Sequence, residues 1–242
     1  MNVSEQSLQK RSATPAATGS RSEKKKRGRR TGPGRPEGPS TLRDDILDVA
    51  EEVFAEAGYA GTSLRIVAER AKVTQALISY YFGSKYGLFT EVFLRRSRKV
   101  SDERVERLAA LRASGIPLKV EDVVRAFLLP TLAMRATPQG RTFLRLQARL
   151  HTEPPEISYA LRNEAYDDST RAFADAFMET LPHLSAKDVY WRMTMMIGAY
   201  LYIFSDTHRL DELAPGICNP DDADEMLHVI STFVTAGMTA PA

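Results

Sequence analysis

Apolar residues recur at helical spacing along most of the chain from Thr41 onward, while the alternation typical of strands is scarce. In the first such segment Ile46, Ala50 and Phe54 share one face, and Gly58 is placed to end the helix in a conformation that glycine adopts easily. Later segments of the same kind predict helices at roughly 119–135, 140–151, 156–181, 186–208 and 221–238. The pattern predicts an all-α chain.

The segment from Thr62 to Phe89 predicts two short helices joined by a tight turn and followed at once by another helix. Thr62 or Ser63 is placed to cap the first of these helices, Thr74 the second and Ser84 the third. Two short helices joined in this way are typical of the helix-turn-helix, a unit that lays its second helix in the major groove of DNA.

Charge is distributed unevenly along the chain. Residues 1–40 carry ten Lys or Arg and three Glu, a charge of +7, so the other 202 residues carry −5 of the formal total of +2. These forty residues have almost no large apolar side chains and are predicted to be a disordered basic arm. Arg35, held between Gly34 and Pro36, is a candidate for the minor groove. The alternative is a solvated tail that only aids solubility.

Several classes of protein do not fit the sequence. No run of 18 apolar residues predicts a membrane span, and no apolar stretch follows the basic N-terminus as in a secretory signal. The single cysteine, Cys218, excludes an intrachain disulfide and fits a reducing cytoplasm. The four histidines are scattered, and no catalytic motif, metal-ligand spacing or phosphate-binding loop is present. We therefore expect no enzyme activity, no metal and no cofactor.

Residues 41–90 resemble the N-terminal domain of the TetR family of bacterial transcriptional regulators. The resemblance rests on AEAGYAGTS at the end of the first helix and on IVAERAKVTQALISYYFGSKYGLF after it. It implies a helix-turn-helix DNA-binding domain over 41–90. It also implies an all-helical domain over 91–242 that dimerises and encloses a small-molecule pocket.

Side chains of the second helix of the motif are small or polar where a core helix would carry large ones. Gln75 can form a bidentate pair with adenine, worth ~1–3 kcal/mol in discrimination. Leu77 can meet a thymine methyl group or, being four residues from Val73, can belong to the core. By resemblance, Arg65 points to the groove, where Arg–guanine pairs are the commonest specific contact. The predicted base contacts are Arg65, Gln75, Ala76, Leu77 and Ser79, and Thr74, as the cap of this helix, can reach a base or a phosphate.

A second set of side chains is predicted to contact phosphates. Lys85 adds its charge to a helix N-terminus, which is a natural anion site. Tyr80 and Tyr81 offer phenols, for which packing in the core is the alternative. The full set is Thr62, Ser63, Tyr80, Tyr81 and Lys85.

Two positions depart from the family pattern. The turn carries Lys72 where the family usually has glycine, and a left-handed residue with a side chain costs ~1–2 kcal/mol. Either the turn has another geometry or Lys72 recovers the cost on a phosphate. Ser79 stands where tyrosine is common, which puts its base contacts in doubt.

The resemblance further implies that the last two long helices form a four-helix dimer interface. The candidates there are Trp191, Met195, Tyr202, Val229, Phe233 and Val234, with the monomer core as the alternative. The candidates for lining an apolar effector pocket are Phe127, Leu128, Met134, Phe143, Leu146, Met193 and Met196, again with the core as the alternative. The pattern FLRLQARLHTEP with YWRM and GAYLY resembles regulators that sense fatty acids or other lipid metabolites.

The sequence thus predicts a ligand-responsive repressor that binds a palindromic operator as a homodimer. The alternative is an architectural DNA-binding protein in which the basic arm provides the affinity and sequence matters little.

Overall fold

The computed structural model describes residues 39–205 and 208–241, and the predicted all-α fold is confirmed: these residues contain no strand. The predicted arm, including Arg35, lies outside them, although the first helix already begins at Pro39. The helices are α1 Pro39–Gly61, α2 Leu64–Ala71, α3 Gln75–Phe82, α4 Lys85–Ala113, α5 Val120–Ala133, α6 Pro138–Leu150, α7 Pro155–Thr180, α8 Ala186–Phe204, α9 Arg209–Leu213 and α10 Ala223–Thr239, with a 3₁₀ turn at Met134–Ala136.

Side-chain caps define the starts of the three helices that follow α1. Ser63 accepts a hydrogen bond from the backbone N–H of Ile66 at 3.2 Å, so Ser63, and not Thr62, caps α2. Thr74 caps α3 through the N–H of Leu77, and Ser84 caps α4 through the N–H of Gly87. Each cap satisfies a donor that the first turn would otherwise leave without a partner.

The N-terminal core extends beyond the helix-turn-helix. Ile46, Phe54 and Phe89, from α1 and α4, form its centre, together with Val67 and Ile78 of the motif. Residues of α6 and α7 complete the same cluster: Phe143, Leu146, Leu150, Leu161 and Ala165. The predicted domain boundary after residue 90 falls inside α4, which continues without interruption to Ala113. The head, defined here as α1–α3 and the first turns of α4, is therefore packed directly on the rest of the chain.

A buried carboxylate fixes α1 on α4. Glu51 is buried on α1, and its Oε2 accepts hydrogen bonds from Arg96 Nε at 2.6 Å and Arg95 Nη2 at 3.3 Å. Arg95 also donates to Asp48 at 2.6 Å. Burial raises the pKa of Glu51, and the two arginines oppose that shift. Removing one partner from a buried ionic cluster of this kind is strongly destabilising, because it leaves a buried charge uncompensated.

The C-terminal half has its own core between α5, α7, α8 and α10. Phe127 and Phe173 meet edge to face with ring centroids 5.1 Å apart, and Tyr200 lies 6.0 Å from Phe127. Val189 of α8 and Ile230 of α10 are buried in the same cluster. The long helix α4 reaches this core through Leu108. One helix therefore contributes to both cores.

Candidate nucleic-acid interface and internal cavity

The outer face of α3 is polar and open to solvent. Gln75, Ala76 and Ser79 are exposed, while Ile78 and Phe82 on the opposite face are buried in the N-terminal core. Tyr80 is 82% exposed, which rules out the alternative that it packs in the core. An eight-residue helix held by its apolar side, with small and hydrogen-bonding side chains outside, has the shape that enters a major groove.

Two residues of α3 are divided between surface and core. Leu77 is half-buried and packs against the N-terminal cluster, as its spacing from Val73 allowed. Tyr81 is also half-buried against that cluster, and its ring lies 5.5 Å from that of Tyr80. Part of each side chain remains on the outer surface, so each contributes to both the core and the exposed face of α3.

Arg65 lies on the exposed side of α2. Its Nε is 3.7 Å from Glu69 Oε1, one helical turn away, and both side chains are largely exposed. An exposed pair of this kind contributes little to stability, so Arg65 is free to leave it for a base or a phosphate.

The start of α4 carries the predicted anion site. Lys85 is half-buried, and its Nζ lies 4.3 Å from the centre of the Tyr59 ring. This cation–π contact keeps the ammonium at the helix N-terminus, where the positive end of the helix dipole also lies. Burial, and then the neighbouring Tyr86, raises the pKa of Tyr59, so the ring stays a neutral phenol. The half-buried Ser63 contributes its hydroxyl as the cap of α2.

Thr62 does not belong to the surface set. Its side chain is 3% exposed, and its hydroxyl donates to the carbonyl of Gly58 at 2.7 Å. The prediction that this hydroxyl contacts a phosphate is wrong because the group already bonds to backbone inside the fold. Gly58 has a φ of 71°, and the bond from Thr62 closes the turn that this conformation makes.

The turn between α2 and α3 has the geometry that the family pattern implies, although a lysine occupies it. Lys72 has φ 56° and ψ 38°, in the left-handed region, and its backbone N–H donates to α2 carbonyls. The turn has therefore kept its shape. The fold therefore includes the free-energy cost of holding a lysine in the left-handed conformation. The Lys72 side chain is exposed next to α3.

Large apolar side chains are exposed on α8 and α10. Phe233 is 69% exposed, and its neighbours on these helices are similarly open: Trp191, Met195, Tyr202 and Val229. Side chains of this size at helical spacing form an uncovered apolar face. Val234 does not lie on it. It is buried in the chain's own C-terminal core, so its predicted place in an interface is wrong and the monomer-core alternative holds.

A cleft of about 830 Å³ lies between α4, α5, α6, α7 and α8. Of the seven side chains predicted to line a pocket, only Phe127 borders this cleft. Leu128 and Met193 are packed in the C-terminal core, and Phe143 and Leu146 in the N-terminal core. Met134 and Met196 border two smaller pockets. The prediction that these six side chains line the effector pocket is therefore wrong. Apolar residues at helical spacing fill the two cores or border smaller pockets instead.

The cleft is lined by polar groups that sequence reasoning missed. They include Arg104, Gln147, His151, Arg162 and Tyr166. The sequence does contain one indication that Arg104 is buried. Val100, Arg104 and Leu108 follow each other at intervals of four residues, and Val100 and Leu108 are buried apolar positions of α4. An arginine between two buried apolar positions of a helix is expected to be buried as well.

Burial changes the acid–base behaviour of the cleft. It lowers the pKa of His151, and the neighbouring Arg162 lowers it further, so the imidazole is neutral at neutral pH. Burial raises the pKa of Tyr166, which therefore stays a neutral phenol beside Gln147, whose Nε2 donates to its hydroxyl at 2.8 Å.

In residues 39–205 and 208–241, no group of three or more His, Cys, Asp or Glu side chains is arranged to hold a metal ion. No helix in that part of the chain has the length and apolar character needed to cross a membrane.

Two family models match the chain, and together they span both regions described above. Residues 46–92 match the model described as bacterial regulatory proteins of the tetR family. Residues 125–237 match the model described as the tetracyclin repressor-like C-terminal domain. The chain belongs to the TetR family of bacterial regulators.

Two relatives are named as HTH-type transcriptional regulators. The chain is 32% identical over 102 residues to the HTH-type transcriptional regulator AcrR of Shigella flexneri, a match that spans 42% of this chain and 45% of that protein. It is 29% identical over 150 residues to the HTH-type transcriptional regulator BetI of Burkholderia mallei, spanning 60% and 72%. The chain thus spans less than half the length of AcrR.

Solved structures show the same fold at low sequence identity. A tetR family regulator from Shewanella superposes with a TM-score of 0.58 at 18% identity, covering 80% of this chain and 95% of its own. The fatty acid degradation regulator FadR from Bacillus halodurans gives 0.56 at 14% identity, covering 81% and 98%. The predicted combination of a helix-turn-helix head and a helical C-terminal half is therefore confirmed.

Proposed function

We propose that this TetR-family regulator binds a palindromic operator as a homodimer, reads it through α3, and represses transcription until a small molecule enters the cleft. Base readout is assigned to Gln75, Ala76 and Ser79 on α3 and to Arg65 on α2. Thr74 and the exposed part of Leu77 complete this set. Phosphate contacts are assigned to Ser63, Tyr80, Tyr81 and Lys85. Acting on bacterial DNA, the protein would work in the cytoplasm.

The observation that carries this proposal is the outer face of α3. Large apolar side chains on its inner side hold the helix, and the exposed side offers an amide, a hydroxyl and a phenol. A solvated helix face could show the same polarity. Here, however, helices α2 and α4 precede and follow it in the chain, and their starts offer the Ser63 hydroxyl and the Lys85 ammonium. Donors for phosphate on both sides of a base-reading helix are what docking in a groove requires.

The apolar face of α8 and α10 supports dimerisation. We assign the interface to Trp191, Met195, Tyr202, Val229 and Phe233, which are exposed in the single chain. Apolar faces of this kind are covered in stable oligomers. A two-fold dimer presents its two recognition helices about 34–36 Å apart, one turn of duplex, and so selects a palindrome.

Two connections join the cleft to the head. Arg104, at the cleft, and Lys85, at the DNA-facing end, are on the same helix, about 28 Å apart at 1.5 Å per residue. Helix α6 supplies Gln147 to the cleft, and just beyond it Arg149 Nη1 donates to the carbonyl of Glu56 at 3.1 Å. Glu153 accepts a hydrogen bond from the backbone N–H of Tyr59 at 2.8 Å. A ligand that moves α4 or α6 therefore moves the head.

The test of this proposal separates base recognition by α3 from the electrostatic affinity of the basic arm. Binding of the full chain, of a variant lacking residues 1–36 and of Gln75→Ala is measured on a selected palindrome and on scrambled DNA over a range of salt concentrations. Without the arm, we expect a shallower salt dependence and the same preferred palindrome, because fewer phosphates are neutralised. Gln75→Ala should lose affinity for the palindrome only, by roughly fivefold to 150-fold.

The architectural alternative predicts the opposite pair of results. If the arm provides the affinity, its removal abolishes binding to both DNAs, and Gln75→Ala binds each as the wild type does. Glu52→Ala, an exposed change on α1, is the matched control for a substitution on the head.

A further inference from the structure

The cleft contains a buried cation that has no counter-charge within the part of the chain that the structure describes. Arg104 is 1% exposed, yet no described carboxylate pairs with it. Its Nε donates to the carbonyl of Phe127 at 2.9 Å and its Nη2 to Thr131 Oγ1 at 3.0 Å. Nη1 has no hydrogen bond among the described residues. Burying an unpaired charge is costly, so an arginine kept in this state points to a partner that arrives from outside.

The ionisable neighbours of Arg104 do not neutralise it. The guanidinium lies 3.7 Å from the centre of the Phe127 ring and 5.8 Å from that of Tyr166, whose raised pKa keeps it uncharged. Asp167 also lines the cleft, but it pairs with Arg171 at 2.9 Å. Arg162 adds a second positive charge to the lining. The cleft is therefore electropositive, and about half of the residues that line it are aromatic or aliphatic.

A second buried side chain in the cleft has a polar atom without a hydrogen-bond partner among the described residues. Gln147 is 2% exposed and borders the cleft, and its Oε1 has no hydrogen-bond partner. The two ends of an amide are assigned from their hydrogen bonds. Rotating the amide by 180° lets Tyr166 donate to Oε1 and leaves the Nε2 donors unpaired instead. In either orientation, Gln147 has at least one N–H left to donate.

Resting on the proposed function, we infer that the effector is a small amphiphilic carboxylate. Its carboxylate pairs with Arg104 and takes its second donor from Gln147. Its apolar part lies against Phe127, Ile197 and Leu201, which line the cleft beside the arginine. Arginine suits this task because its planar group donates to two carboxylate oxygens at once. A volume of about 830 Å³ accommodates a molecule of the size of a medium-chain fatty acid or an aromatic acid.

The inference alters the apolar effector expected from the sequence. A neutral hydrocarbon would leave both Arg104 and Gln147 unpaired in a drier cleft than before, at the full desolvation penalty of each group. A carboxylate satisfies them together. Lipid metabolites remain within the class only where they carry a free acid.

The test is a matched pair of ligands on the full-length protein without DNA. Decanoate, 4-phenylbutyrate and 2-naphthoate are each titrated calorimetrically against the wild type beside the corresponding primary amide, which has the same shape and no charge. We expect at least one acid to bind once per subunit and at least about tenfold more tightly than its amide, as a charge-assisted bidentate pair provides.

Variants assign the discrimination to residues. Arg104→Met should reduce the difference between acid and amide to about twofold or less, and Arg104→Lys should retain part of it because the charge remains. Gln147→Met should weaken the acid severalfold. Arg107→Met, an exposed change on the same helix, is the control and should bind as the wild type does. Thermal melts and binding to the selected palindrome report whether each variant is folded.

Three results would overturn the inference: equal binding of acid and amide, undiminished discrimination in folded Arg104→Met, or no binding by any acid at millimolar concentration. Each is separate from failure of the proposed function. A chain that binds the palindrome but does not prefer acids loses only the inference. A chain that prefers acids but binds all DNA equally loses only the function.

Discussion

The head and the C-terminal half differ in where they depart from the usual rule that apolar side chains are buried and charges are exposed. In the head, large apolar side chains such as Ile78 and Phe82 lie inside, and the polar Gln75 and Ser79 face solvent. In the C-terminal half, Phe233 is exposed on α10 and the cation of Arg104 is buried on α4. The first arrangement is what folding alone favours, whereas exposed apolar groups and unpaired buried charges each need a partner. The departures from the rule therefore indicate where a second subunit and a ligand bind.

The largest expected effect comes from placing charge on the exposed apolar face. Met195→Glu with Phe233→Glu should separate the dimer, because four carboxylates would then face each other in an apolar interface. Loss of the second half-site should weaken palindrome binding by at least about a hundredfold. Sedimentation equilibrium and DNA titration measure the two effects.

Ala109→Glu, an exposed change on α4 away from this face, is the control and should leave the dimer intact. An unchanged dimer dissociation constant in the double variant would show that the apolar face does not form the dimer interface. Only the buried Arg104 would then still indicate a binding partner for the C-terminal half.

A smaller effect tests the corrected position of Thr62. Thr62→Val removes the hydroxyl that bonds to the Gly58 carbonyl and should lower the free energy of unfolding by about 1–3 kcal/mol. The salt dependence of DNA binding should not change. Urea denaturation and DNA titration give the two quantities, and Thr62→Ser should behave as the wild type in both. A shallower salt dependence with unchanged stability would restore the phosphate contact.

The smallest effect concerns the turn. Lys72→Gly should stabilise the fold by about 1 kcal/mol, because the φ of 56° suits glycine better than lysine. If the lysine also contacts a phosphate, the same change should reduce the salt-dependence slope of DNA binding by about one charge. Stabilisation with no change in the slope would show that the cost of Lys72 is not recovered on DNA.

The sequence predicts the head better than it predicts the cleft, and the reason is physical. The head is built from local signals: Thr74 and Ser84 cap helices within a few residues of themselves, and the spacing of Ile78 and Phe82 shows the inner face of α3. The cleft is assembled from five helices distant in sequence. Periodicity showed that Phe143 and Leu128 would be buried, but it could not show that they lie in cores beside the cleft and not at it.

Arg104 shows where such reasoning stops. Its spacing from Val100 and Leu108 indicated a buried position, but its lack of a counter-ion depends on α5, α6, α7 and α8 as they fold around it. Thr62 illustrates the same limit on a smaller scale, since whether its hydroxyl faces solvent depends on the conformation of Gly58 four residues earlier.

Selection of bound sequences from random DNA tests the central claim most directly, with the wild type and Gln75→Ala carried through in parallel. The account predicts that the wild type enriches a palindrome with half-sites about one helical turn apart, and that Gln75→Ala loses preference at one or two symmetry-related base pairs while the remainder of the palindrome persists. Enrichment of no sequence by the wild type, or the same palindrome at full strength from both proteins, would contradict base readout by the outer face of α3.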